Sequence, residues 1–193
     1  GRTPAPPSPE PDGKAQRNFT DPDSRILLTK DGYIQGYNAQ AAVDGAAQII
    51  IAHDLTPSMS DQDQLVPLID AAKDHLGRHP KEASADAGYC SEANLAALAA
   101  RGISPYLATG RAKHPADSKR NITGPLTRAM REKLKRAGRR SRYRLRKQIV
   151  EPFGQIKQAR GFRQFLLRGV AKVKAEWALI CTAHNLTKLA RPA

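Results

Sequence analysis

The chain has 193 residues, 40% of them hydrophobic, 26% charged and 5% aromatic, with a formal net charge of +14. That is long and apolar enough for one domain with a core of mostly Ala, Leu, Ile and Val, which excludes a wholly disordered chain. No run of 18 apolar residues occurs, which excludes a transmembrane helix.

The first twenty residues are Pro-rich, start at Gly1 rather than Met, and read as an extended internal linker, so the chain is expected to be part of a longer protein. Residues 25–30 then read as a strand, Asp31-Gly32 as a tight turn and residues 33–44 as a longer strand. A second pair, Asp44-Gly45, leads into residues 48–53 with the β-branched run Ile49-Ile50-Ile51. Asp-Gly favours the positive backbone angles of a two-residue hairpin, so antiparallel pairing is predicted.

Ser60 with Asp61 and Asp63 marks a helix start; Leu65, Leu68, Ile69, Ala72 and Leu76 follow at helical spacing, and Gly77 closes the helix. Residues 81–86 read as a short buried strand. Ser91 caps a second helix that Gly102 ends, and residues 103–108 read as a further strand. Residues 109–142 form a basic stretch, helical at least over 126–137 and too charged for deep burial. Residues 170–189 place Val173, Trp177, Ile180, Cys181, His184 and Leu189 on one face of a helix that docks on the core. Strands first and then alternating helices and strands predict an α/β domain, a mixed sheet flanked by helices.

Charge is spread unevenly along this order. Residues 1–100 hold 8 Lys/Arg against 14 Asp/Glu, residues 101–150 hold 16 against 2, and residues 151–193 hold 8 against 2. An acidic half and a basic half suit a site where acids hold a metal and bases hold phosphate; a basic tail that binds RNA loosely is the other reading. Cys90 and Cys181 are far apart and lack metal-ligand spacing, so free or buried thiols are expected.

Two acids stand out. Asp86 ends the strand Glu82-Ala83-Ser84-Ala85-Asp86 and precedes Ala87-Gly88, small residues that let a phosphate or another backbone approach. It is either a metal ligand or a cap for the next turn. Glu151 follows Lys147 by four residues and Arg144 by seven, so an unbroken helix would put all three on one face. It is either a metal ligand beside a polyanion or the counter-ion of Lys147, and Pro152 weakens the helix that carries it. Asp44, Asp54, Asp61 and Asp63 are weaker candidates, because turns and helix starts favour Asp in any case. His53 and His184 read as packing residues. From the residues alone, the chain is a basic α/β nucleic-acid protein with room for a two-acid metal site.

The stretches Asn18-Phe19-Thr20-Asp21-Pro22-Asp23-Ser24-Arg25, Gly36-Tyr37-Asn38-Ala39-Gln40-Ala41-Ala42-Val43-Asp44, Ala85-Asp86-Ala87-Gly88-Tyr89, residues 143–157 and Arg160-Gly161-Phe162-Arg163 resemble, in order, the DDE transposases of bacterial insertion sequences with an RNase H-like catalytic domain. The resemblance runs over about residues 16–190. It implies a domain over residues 21–193, behind a linker at 1–20 and with a basic insert at about 109–142. It further implies DNA strand cleavage and strand transfer with Mg²⁺ or Mn²⁺, acting on the double-stranded DNA of transposon ends and target, as a homodimer on DNA in the bacterial cytoplasm.

Asp86 takes the role of the second acid and Glu151 that of the third. Tyr143, Arg146 and Lys157 are the nearest matches to the phosphate-binding signature, with Arg144 and Lys147 at the alternative helical positions. The first acid belongs on the first strand of the sheet, and residues 25–30 carry no carboxylate. The fold is therefore expected to be incomplete at its N-terminal strand, with that Asp upstream and the chain alone catalytically incomplete. The competing expectation is a non-catalytic basic nucleic-acid-binding protein.

Overall fold

The computed structural model describes residues 18–29, 32–110, 124–144 and 146–190, without the side chains of residues 137 and 141. Most of the Pro-rich linker and much of the basic insert therefore lie outside the described residues. Strands β1 (Arg25–Thr29) and β2 (Gly32–Gly36) form an antiparallel hairpin in which Thr29 faces Gly32. Gly32, expected in the turn, instead begins β2 at φ +115°, where a Cβ is disfavoured; residues 30 and 31 lie outside the described residues.

The single strand expected over 33–44 is interrupted at Tyr37, whose hydroxyl donates to Asp21 Oδ1 at 2.7 Å. Beyond it, β3 (Asn38–Val43) pairs antiparallel with β4 (Ile50–Thr56). The two-residue turn predicted at Asp44-Gly45 does not form. Asp44 Oδ2 instead accepts from the N–H groups of Ala46 and Ala47, which curls the chain into a wider loop over residues 44–49. Register slips between Ala42 and Val43, leaving Ile51 as an extra residue. That bulge turns Ile50 toward the same face as Leu55, while Ala52 faces the opposite side.

Both faces of this hairpin are covered. On one side lies α6 (Val170–Leu189), whose Val173, Trp177, Ile180 and Cys181 pack on Ile50, Leu55 and Ile156. The face predicted for this helix is the buried one, except that Leu189 is exposed. Trp177 donates from Nε1 to the Gln40 carbonyl at 3.0 Å, stacks on Phe153 at 5.8 Å and meets Phe165 edge-on. Asn185 copies a strand partner, since its amide both accepts from Ile50 N and donates to Ile50 O at 2.8 Å. On the other side α1 (Leu65–Leu76) sets Leu68 and Ala72 against Ala52, and left-handed Gly77 ends it as expected.

Strands β5 (Glu82–Ala85) and β6 (Ser104–Leu107) pair in parallel through the crossover helix α2 (Glu92–Ala100), which Ser91 caps at Asn94 N. A second core joins α1, α2 and β6 through Leu65, Ile69, Leu95, Leu98, Ile103 and Leu107. The mixed sheet expected from the element order is thus drawn as three two-stranded ladders, two antiparallel and one parallel.

Helices α3 (Pro125–Lys135), α4 (Ala137–Arg144) and α5 (Arg146–Gly154) follow. Although its charge argues against deep burial, α3 buries Thr127 and Met130, with Leu134 packed beside them. These positions recur at helical spacing between the charges, so one stripe docks while the charges face outward. Glu92 accepts from Leu126 N, Thr127 N and Thr127 Oγ1, satisfying the free donors of the first turn. Some of the basic charge is structural. Lys133 donates to Ser104 Oγ and Pro105 O while lying over the Tyr106 ring, Arg139 donates to the Tyr106 hydroxyl, and Arg142 pairs with Glu82 at 2.8 Å.

Pro152 does not end α5. Its ring is buried, the helix continues to Gly154, and a π-helical turn, Gln155–Ala159, carries the chain on. Cys90 and Cys181 are both free thiols, as the spacing predicts.

Candidate functional site

Asp86 ends β5 and caps the 3₁₀ turn Ala87–Tyr89, its Oδ1 accepting from Gly88 N at 3.0 Å. The capping role read from the sequence is therefore real. Oδ2 has no hydrogen-bond partner among the described residues, and the side chain is exposed, so the cap leaves an oxygen open to a ligand.

The protein group that approaches Gly88 is the Asp61 carboxylate. A Cβ on Gly88 would stand 2.6 Å from Asp61 Oδ2 and 3.3 Å from Asp86 Oδ1, so the two acids share the space above that glycine. Asp61 Oδ1 accepts from Asn38 Nδ2 at 2.6 Å and from Gln40 Nε2 at 2.9 Å. Gln40, 1% exposed, accepts in turn from the Tyr89 hydroxyl. Burial, followed by the charges of Asp61 and Asp86, holds the Tyr89 phenol well above its usual range, so it remains a donor.

Asp61 is the residue that sequence reasoning undervalued. An Asp at a helix start is expected to cap, yet this side chain makes no cap bond to the 3₁₀ turn Gln62–Gln64 that it precedes. Ser60 Oγ accepts from Gln62 N instead. The available signal was this pairing of a serine with the acid beside it, which frees the acid for other partners.

Glu151 lies elsewhere. Its carboxylate accepts from Gln48 Nε2 at 2.7 Å and from Gln155 Nε2 at 3.0 Å, and those two amides, with Lys188 nearby, hold its pKa below the ordinary value. No ion pair with Lys147 forms among the described residues, so the counter-ion reading does not describe this side chain. Gln48 carries a φ of +60°, a left-handed conformation that is uncommon for a residue with a side chain. It is held from every side: Lys188 donates to its Oε1, and the His184 ring donates from Nε2 to its carbonyl at 2.9 Å. His184 is fully buried, and burial lowers its pKa, which fits the packing role read from the sequence.

Asp86 and Glu151 therefore engage opposite ends of the β3–β4 hairpin, Asp86 beside Asn38 and Gln40, Glu151 beside the loop at Gln48. Among the described residues no three His, Cys, Asp or Glu side chains gather as a metal site. The chemistry of the donors is nevertheless right at the Asp86 end, where exposed carboxylate oxygens suit a hard divalent cation.

Two hollows connect these ends. One, about 350 Å³, is walled by β3 over residues 38–43, by β5 over residues 82–86 with Asp61 and Tyr89, and by Arg146, Ile149, Val150 and Phe153 of α5. The other, open and about 740 Å³, follows α5 and brings Arg146, Lys147, Glu151 and Lys157 together. Arg146 lines both, and its guanidinium lies 4.7 Å from the Tyr143 ring centroid. Tyr143 and exposed Arg144 stand at the end of α4, with residue 145, outside the described residues, between them and α5.

The family model described as Transposase DDE domain matches residues 16–186. No curated protein and no solved structure matches the chain. No described helix is long and apolar enough to cross a membrane.

Proposed function

The chain belongs to the transposase DDE domain family, an RNase H-like α/β fold whose members act on DNA, and from that premise we propose that it is the metal-dependent strand-cleaving and strand-transferring part of a transposase of an insertion sequence. Asp86 and Glu151 are its second and third acids. One observation carries this reading: the groove that ends at Asp86 is walled on its third side by α5, the helix that bears Glu151.

The same groove bears on the first acid. Among the described residues β3 pairs with β4 and β5 with β6, which leaves each with an edge unpaired there, and both strands line this groove. A strand laid between them would join the antiparallel and parallel ladders into one mixed sheet and would run between the two acids. Residues 1–17 include five prolines, which lack the N–H a central strand needs. The first acid is accordingly assigned to a strand N-terminal to residue 1, and the chain alone binds DNA without cutting it.

Arg146, Lys147 and Lys157 line the hollow beside Glu151 and would hold the flanking phosphates. Magnesium, when bound by the acids, would supply activation of a hydroxyl and neutralisation of phosphate charge. The chain's own part is to present Asp86 on a fixed turn and Glu151 on amide partners.

The binding-only reading draws on a specific observation, the separation of Asp86 from Glu151. A transposition assay in cells, using the whole coding sequence that contains this chain, separates the two readings. Asp86→Ala and Glu151→Ala should each remove transposition, by about a thousandfold or more, while DNA affinity stays within about twofold. Transposition that survives either substitution would establish the binding-only reading.

A further inference from the structure

We infer that Asp61 is a positioning residue that aims Asp86 through the Gln40 amide and the Tyr89 hydroxyl; this rests on the reading of Asp86 as a metal ligand. A carboxylate can only accept hydrogen bonds, so Asp61 obliges Gln40 to turn Nε2 toward it. Oε1, the only acceptor of the amide, then points the other way and takes the Tyr89 hydroxyl. Tyr89 closes the 3₁₀ turn that Asp86 opens, so the Asp61 acceptor oxygen, through Gln40, sets the orientation of the turn on which Asp86 stands.

Burial makes this relay exacting. Gln40 is 1% exposed and cannot exchange a lost partner for bulk water, and its carbonyl is already committed to Trp177. A second tie fixes the backbone of the same turn. The buried Asn94 amide donates to Tyr89 O at 2.8 Å and to Gln62 O at 2.7 Å, clamping together the turn that follows Asp61 and the turn that follows Asp86. Gly88 completes the fit, since a side chain there would meet Asp61 Oδ2.

The test is Mn²⁺ titration of the chain, followed by paramagnetic broadening of the Gly88 and Tyr89 backbone amide signals. Asp86→Ala should abolish specific broadening. Asp61→Ala should require about tenfold more Mn²⁺, the usual cost of losing an outer partner of a ligand. Asp61→Asn keeps Oδ1 as the acceptor for Gln40 while it removes the charge and replaces Oδ2, which takes no part in the relay, by an amide nitrogen, so it should stay within about threefold of the unsubstituted chain. Tyr89→Phe, which cuts the relay at its far end and leaves both acids in place, should reproduce part of the Asp61→Ala loss.

If Asp61→Ala broadens at the Mn²⁺ level of the unsubstituted chain, Asp61 does not position Asp86. If Asp61→Asn falls as far as Asp61→Ala, the carboxylate acts as a ligand in its own right and the relay is wrong. Broadening that survives Asp86→Ala, or none in the unsubstituted chain, removes the metal reading of Asp86 and the inference with it. Dispersed amide spectra of Asp61→Asn and Tyr89→Phe separate any of these results from misfolding.

Discussion

The two ends of the β3–β4 hairpin hold their acids by different means. At the Asn38 end, Asp86 belongs to a linked set of side chains in which a second carboxylate, a buried amide and a phenol constrain one short turn. At the Gln48 end, Glu151 stands on an exposed helix face and is held by two amides, in a hollow lined by Arg146, Lys147 and Lys157. The first end is built to keep an acid in place among other acids; the second offers an acid beside groups that attract phosphate. The difference teaches that the two acids are held by separate sets of partners, one in a linked side-chain set and one beside basic residues.

Breaking what the two ends share should have the largest effect. Trp177 holds the β3 backbone at Gln40 and stacks on Phe153 of α5, so it supports the Asp86 end and the Glu151 end together. Trp177→Ala should destabilise the chain by about 3–5 kcal/mol, seen as a lower urea midpoint, with amide signals perturbed at both ends.

A smaller and one-sided effect is expected at Gln48. Both Gln48→Ala and Gln48→Gly remove the amide that holds Glu151, but only Ala keeps a Cβ at a φ of +60°. Gln48→Ala should be less stable than Gln48→Gly by about 1 kcal/mol in urea unfolding. Amide shifts should appear near Glu151 and leave Gly88 and Tyr89 unmoved; shifts at Gly88 would show that the ends are coupled.

The smallest effect is the pH dependence at the Gln48 end. His184 donates from Nε2 to Gln48 O, while its Nδ1 is buried without a partner among the described residues, so protonation there meets no acceptor among them. Burial lowers its pKa from the ordinary 6.5. Its contribution to stability is therefore complete above pH 6.5 and is lost progressively as pH falls from there toward the lower folded value. Glu151, lowered from 4.5 chiefly by the Gln48 amide, adds a loss of the same sign at more acidic pH. Urea midpoints measured against pH should fall in these two ranges, and His184→Gln should reduce the upper fall, leaving the part that His53, also lowered by burial, contributes.

Much of this fold is legible in the sequence because local rules were obeyed. Gly77 takes the left-handed conformation that closes α1, Ser91 caps α2, and α6 buries the stripe around Trp177. The failures have physical causes as specific. Asp44-Gly45 reads as a tight hairpin until the Asp44 side chain captures two N–H groups and widens the loop. The stripe of Thr127 and Met130 is masked by surrounding charge, although burial needs only one face of the helix.

At the site, Asp86 and Glu151 are visible because each stands out from its neighbours in the chain. The bond from Asp61 to Gln40 and that from Gln40 to Tyr89 are not visible, since they join residues 21 and 49 positions apart. The capping bond of Asp86 occupies one carboxylate oxygen and so does not stand against a ligand role for the other.

The central claim is that Asp86 and Glu151 become one catalytic site only when a further strand fills the groove between β3 and β5. Its most direct test is Mg²⁺-dependent nicking of end-containing DNA, comparing this chain with the same chain extended by the coding sequence N-terminal to residue 1. The account predicts DNA binding without nicking for the chain alone, and nicking by the extended protein that Asp86→Ala or Glu151→Ala removes. Robust Mg²⁺-dependent nicking by the chain alone, or by either substituted extended protein, would contradict it.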